Sequence, residues 1–171
     1  MKTILITLIL MLAGGNLCCQ TTDNNRLTEQ EYAIYLVIIG DRPKNFIVVD
    51  ETGVDVMGEV SSGKLPEIVI RVLPETIKDY AFKNRKPPTI ASDFPFQDGY
   101  TVINKEEREK RIPEYGRHYV VSRVGFSGDG KQAFVRFVDS CAPLCGFGAF
   151  YLLTNQNGAW GIAVESEFFR S

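Results

Sequence analysis

The segment Asp139-Ser140-Cys141-Ala142-Pro143-Leu144-Cys145-Gly146-Phe147-Gly148 places three residues between two cysteines. Three chemistries use such a pair. A disulfide needs Cα atoms about 4.4–6.8 Å apart, a span that a tight turn of this length provides. A thiol-exchange enzyme favours Cys-x-x-Cys at a helix N-terminus, where the dipole lowers a thiol pKa; here the spacing is wider and both flanks read as strands. A zinc site needs two further ligands at suitable positions. The reading is a structural disulfide between Cys141 and Cys145, with a thiol-redox pair as the alternative. No metal site and no cofactor is expected.

His118 is the only histidine. General acid–base or triad chemistry built on imidazole has to use it, with Asp139, Ser140 or Glu114 as the partners to draw on. A lone histidine entering a strand is more often a surface or hydrogen-bonded residue. The chain has no Gly-x-Ser-x-Gly elbow, no phosphate loop and no His-Glu-x-x-His. No catalytic residue is assigned, and the balance lies towards a non-enzymatic domain; a hydrolase-type enzyme using His118 is the alternative. Phe147, Phe150, Tyr151 and Trp160 cluster in sequence around the last hairpin. Core packing is the plain reading. The sharper one is a ligand or partner surface, because a concave sheet under a helix can hold a small apolar molecule.

The N-terminus bears on the cysteine reading. Lys2 precedes an apolar run from Ile4 to Ala13, and Thr21-Thr22-Asp23-Asn24-Asn25 follows it. A run of about ten residues fits a signal h-region and is short for a bilayer span. Cleavage after Gly15 or before Gln20 gives a secreted or periplasmic product. Alternatively Cys18 or Cys19 carries a lipid, and the polar stretch is its tether. Residues 1–19 therefore read as a signal peptide of ordinary or lipoprotein type, 20–27 as a tether and 28–171 as one domain. An exported chain meets an oxidising compartment, where Cys141 and Cys145 join.

The sequence has 171 residues and a formal net charge of −2. The part after the leader has the ordinary size of one domain. With no excess of basic residues, no nucleic-acid partner is expected. The partner expected is an envelope protein or a small ligand, and the membrane is met only through an N-terminal lipid.

The elements that must hold these residues follow from caps, turns and alternation. Thr28-Glu29-Gln30-Glu31 has the form of a capping box, and Tyr32 to Ile39 continues as a helix that Gly40 and Pro43 end. Phe46 to Asp50 reads as a strand. Pro74 opens a short helix ending before Lys83-Asn84-Arg85-Lys86, whose cations read as a solvated turn. Tyr100 to Ile103 is a strand, and Asn104 caps a helix from Lys105 to Arg111. Tyr119 to Phe126 reads as one strand, turned by Ser127-Gly128-Asp129-Gly130 into Gln132 to Val138. Gly148 to Thr154 and Ala159 to Glu167 follow, joined by Asn155-Gln156-Asn157-Gly158. Trp160, Ile162 and Val164 alternate onto one apolar face, which the Thr28 helix should cover. The expected fold is α+β: an N-terminal helix packed on a mainly antiparallel sheet that ends in a four-stranded meander.

The positions Glu31, Ile34 and Tyr35, Asp50 and Thr52, Phe82-Lys83-Asn84, Ser122-Arg123-Val124-Gly125-Phe126, Ala133 and Val135, Cys141, Leu144-Cys145-Gly146 and Gly148, Tyr151-Leu152-Leu153, and Gly158 with Trp160 form a pattern. It resembles a group of exported bacterial proteins of unknown function. The likeness spans most of the chain after the leader. Ala142-Pro143 replaces a more glycine-rich turn, and Pro113-Glu114-Tyr115-Gly116 stands where the group is richer in aromatics. The resemblance implies export and a stapled turn; it brings no activity with it.

Overall fold

The computed structural model describes residues 26–49, 68, 70–86, 88–89, 99–112, 116–141 and 145–171. The leader, Cys18, Cys19, Glu114 and the tip residues 142–144 lie outside the described residues.

Helix α1 spans Glu29–Ile39. Its capping box forms as the sequence suggests: the Glu31 amide donates to Thr28 Oγ1 and the Thr28 amide to Glu31 Oε2. Gly40 ends it at φ 56°, a conformation that costs a glycine little. Strand β1 is Phe46–Val49, α2 is Pro74–Lys83, β2 is Thr101–Asn104 and α3 is Lys105–Arg111. Asn104 Oδ1 caps α3 by accepting from the Glu107 amide at 2.9 Å. The remaining strands are β3 His118–Val121, β4 Gly125–Phe126, β5 Gln132–Cys141, β6 Cys145–Gln156 and β7 Ala159–Arg170.

They form one sheet in the order β2-β1-β3-β5-β6-β7, with the short β4 also paired to β5. The fold is α+β, the sheet is mostly antiparallel, and β3, β5, β6 and β7 make the C-terminal meander. The β1 pairings are the exception: it runs parallel to both β2 and β3. Ile47, Val48 and Val49 are all buried. An unbroken apolar run of this kind suits a strand covered on both faces.

Both faces of the sheet are covered. On one, Tyr32, Ile34, Tyr35, Ile38 and Ile39 of α1 pack against Val49, Val121, Val135, Tyr151 and Leu153. On the other, Tyr80 of α2 with Ile68 and Val72 packs against Phe134, Phe150 and Leu152. Gly125 is where α2 comes closest. A Cβ there would lie 2.5 Å from the Thr76 carbonyl oxygen and 2.5 Å from Tyr80 Cβ.

Two expectations change. The apolar face of the last strand is divided by a register shift between Leu152 and Leu153, which pair with Val164 and Ile162. A bulge turns the next side chain to the opposite face. Trp160 therefore packs on the α1 side and Val164 on the α2 side. The single strand expected from Tyr119 to Phe126 is interrupted at 122–124, and the reason is chemical, as follows.

Candidate functional site

Arg123 interrupts the strand because its guanidinium is drawn into the interior by a carboxylate from α1. Its Nε donates to Glu31 Oε1 at 2.6 Å and one terminal nitrogen donates to Glu31 Oε2 at 2.9 Å. Both side chains are fully buried. A buried charge persists only when it is paired and hydrogen-bonded. Here the same Arg123 nitrogen also donates to the Arg26 carbonyl, and Glu31 Oε1 accepts from the Val124 amide at 3.1 Å.

The backbone released from the ladder is satisfied by side chains of both helices. Tyr35 Oη donates to the Ser122 carbonyl at 2.9 Å. The Arg123 amide donates to Asn84 Oδ1, and Asn84 Nδ2 donates back to the Arg123 carbonyl. Lys83 Nζ donates to the Val124 carbonyl, and Asp79 Oδ2 accepts from the Phe126 amide. Glu31 and Tyr35 of α1, with Asp79 and Lys83 of α2 and Asn84 at its end, thus fasten residues 122–126 from both sides of the sheet. In the sequence Glu31 reads as the capping-box partner of Thr28 and as a position of the resemblance pattern, with nothing to join it to Arg123. The signal available was a charged residue, Arg123, inside an otherwise apolar strand.

His118 is buried, and both ring nitrogens are engaged. Nδ1 lies 2.8 Å from the Gly116 carbonyl and Nε2 accepts from Arg108 Nε at 3.1 Å. This pairing requires the neutral ring with its proton on Nδ1. Burial lowers the His118 pKa; the Gly116 hydrogen bond opposes the shift, and nearby Arg108 adds to it. Ser140 is the cross-strand partner of His118. Asp139 turns instead to Arg117, in a two-pronged pair at 3.1 and 2.7 Å.

Beyond the C-terminal end of α1, Arg42 closes a second polar group. It donates to the Ile38 carbonyl at 2.7 Å, covers the Phe137 ring at 5.4 Å and approaches Asp139 to 3.9 Å. Tyr151 belongs to the same group. Burial pushes its phenol up to about 12, with Glu165 adding to the shift and Arg42 opposing it.

The four aromatics of the last hairpin are not brought to one surface. Phe150 is in the core on the α2 side, stacked at 5.5 Å on Phe134. Tyr151 is buried on the α1 side. Phe147 is half-buried beneath the Arg170 guanidinium, 4.9 Å away. Trp160 is half-exposed at the rim, 5.9 Å from Phe126. Ile162, more exposed, precedes the bulge beside it. Of the four expected residues only Phe147 and Trp160 are thus partly exposed, and Phe126 and Ile162, which were not among them, stand near Trp160.

Cys141 and Cys145 are disulfide-bonded with Cα atoms 5.2 Å apart. They close the β5–β6 ladder at its tip as cross-strand partners. Among the described residues no group of three or more His, Cys, Asp or Glu could hold a metal ion, and no helix is long and apolar enough to cross a membrane. Comparison of the chain with protein-family models, with curated proteins and with solved structures finds no match.

Proposed function

We propose that this chain is an exported domain of a bacterial envelope, non-enzymatic, which recognises a protein partner or a small ligand. One observation carries the reading. The titratable groups that catalysis would draw on are tied into the fold itself: His118 by Gly116 and Arg108, and Asp139 by Arg117. The cross-linked hairpin tip suits an oxidising compartment, and the apolar run from Ile4 to Ala13 suits a leader. The half-exposed rim of Trp160, Phe126 and Ile162 is the contact surface.

Mass spectrometry of the protein from fractionated host cells tests export. The expected product is cleaved or acylated between residues 15 and 20, recovered outside the cytosol, with Cys141 and Cys145 oxidised. An uncut cytosolic protein with both thiols reduced would overturn the reading. Recognition is tested by placing a photo-crosslinking residue at Ile162; a discrete envelope adduct is expected, and an adduct-free product argues against a protein partner.

A further inference from the structure

The β6–β7 hairpin closes through a link that can react with itself. Asn157 and Gly158 join Gln156 to Ala159, the last cross-strand pair. Their φ values are 55° and 87°, both positive as a type I′ turn requires. Asn157-Gly158 is the only Asn-Gly step in the sequence. Both residues are exposed, and a Cβ at Gly158 would meet nothing within 4 Å. Nothing therefore shields the Gly158 nitrogen from the side chain before it. In the reaction this amide gives its proton to base and its nitrogen bonds to Asn157 Cγ. The bond from Cγ to Nδ2 breaks, and Nδ2 leaves as ammonia with protons from water. Water then opens the cyclic imide. Breaking the new bond to Cγ leaves aspartate; breaking the bond to the backbone carbonyl carbon leaves isoaspartate, with the chain routed through Cβ and Cγ. No oxidant or cofactor is consumed.

The attacking nitrogen is already held. The Gly158 N–H donates to Asn155 Oδ1 at 2.9 Å. Asn155 is half-buried and is the cross-strand partner of Trp160. Its own amide donates to the Lys131 carbonyl at 2.8 Å. The acceptor is thus anchored in the sheet and not in the turn. We propose that Asn157-Gly158 is a site of spontaneous deamidation by water, and that Asn155 sets its rate by retaining the Gly158 proton. A hydrogen-bonded N–H reaches base only when its bond opens. The same bond keeps the peptide between Asn157 and Gly158 in the turn, against the rotation that brings its nitrogen onto Cγ. Conversion adds a carboxylate at the tip. As isoaspartate it also lengthens a two-residue link whose length fixes the register of β6 on β7. The inference is independent of export and of any partner.

The test incubates the full chain in mildly alkaline buffer, folded and, in parallel, unfolded in guanidinium chloride. Peptide mapping by mass spectrometry follows aspartate and isoaspartate at residue 157. Folded wild type should convert more slowly than the unfolded sample. Asn155→Ala should speed conversion of the folded protein by roughly three- to tenfold, the weight of one hydrogen bond, and leave the unfolded rate unchanged. Asn155→Asp keeps an acceptor and should stay slow. Exchange of the Gly158 amide proton, read by NMR, should rank the three proteins in the same order, and circular dichroism checks each fold. The proposal is overturned if folded wild type converts as fast as unfolded, if Asn155→Ala converts as slowly as wild type, or if Asn155→Asp converts as fast as Asn155→Ala. Should Asn155→Ala not fold, the wild-type amide decides: exchange at the rate of an unstructured peptide overturns the proposal, and slower exchange supports it.

Discussion

The carboxylate that caps the first helix, Glu31, is the same one that neutralises Arg123, 92 positions later in the chain. One side chain therefore sets both where α1 begins and where the β3 line breaks. Removing either partner leaves the other charge in the interior without an equal. Glu31→Ala or Arg123→Ala should each cost roughly 3–5 kcal/mol in urea unfolding. The pair Glu31→Leu with Arg123→Met should recover part of this. It should remain below wild type by about 1–3 kcal/mol, because the Val124 amide loses its acceptor. Single variants as stable as wild type would show that the buried pair does not hold the two segments together.

His118 should make the fold sensitive to mild acid. Its pKa is lowered in the folded state, first by burial, so the unfolded chain binds a proton more readily. Stability from this group is fully present above the unfolded value of about 6.5 and is lost as pH falls from there towards the folded pKa. Urea midpoints between pH 7.5 and pH 5 should decline for wild type and decline less for His118→Gln. Parallel curves for the two proteins would remove His118 as the cause.

At the alkaline end the sign follows the same logic. Tyr35, Tyr119 and Tyr151 all have phenols raised by burial. Their contribution is complete below about pH 10 and falls as pH rises through that region. Tyr151→Phe should remove one late-titrating phenol from the ultraviolet titration, the one held near 12. A spectrum in which every tyrosine titrates at an ordinary pH while the fold persists would contradict this.

Reducing the Cys141–Cys145 bond should cost little. The loop it closes is about five residues, for which chain entropy gives roughly 2 kcal/mol. Because β5 and β6 pair along their full length below the tip, Cys141→Ser with Cys145→Ser should fold at neutral pH with an unfolding free energy, from urea titration, lowered by that amount. Loss of the folded state in the double variant would show that the staple holds far more than a hairpin end.

Gly125→Ala should be more damaging than the loss of a glycine usually is. The added methyl meets the α2 backbone and Tyr80 Cβ, neither of which is the yielding end of a side chain. A cost of about 1–3 kcal/mol is expected from thermal unfolding, against a few tenths for Gly128→Ala, where a Cβ meets nothing within 4 Å.

What could be read in the chain was local. The Thr28–Glu31 box, the Asn104 cap and the Asn157-Gly158 turn are set by neighbours a few residues away, and each forms as the residues suggest. The parallel pairing of β1 could not be read, because Ile47, Val48 and Val49 announce burial and say nothing of direction. The alternation through Trp160, Ile162 and Val164 misled, because a single bulge reverses parity and leaves no mark in residue type. The aromatic cluster dispersed for the same geometric reason: Phe150 and Tyr151 are adjacent in a strand and must point to opposite faces. The Glu31–Arg123 contact depends on distant pairing, and only the oddity of a charge within Val120–Phe126 hinted at it.

The knot of bonds around residues 122–126 also governs timing. Synthesis delivers α1 first, yet its Glu31 cannot meet Arg123 until more than half of the polypeptide has been made. Asp79 and Lys83 of α2 wait for the same short stretch. Both helices therefore gain these contacts only once residues 122–126 have been made.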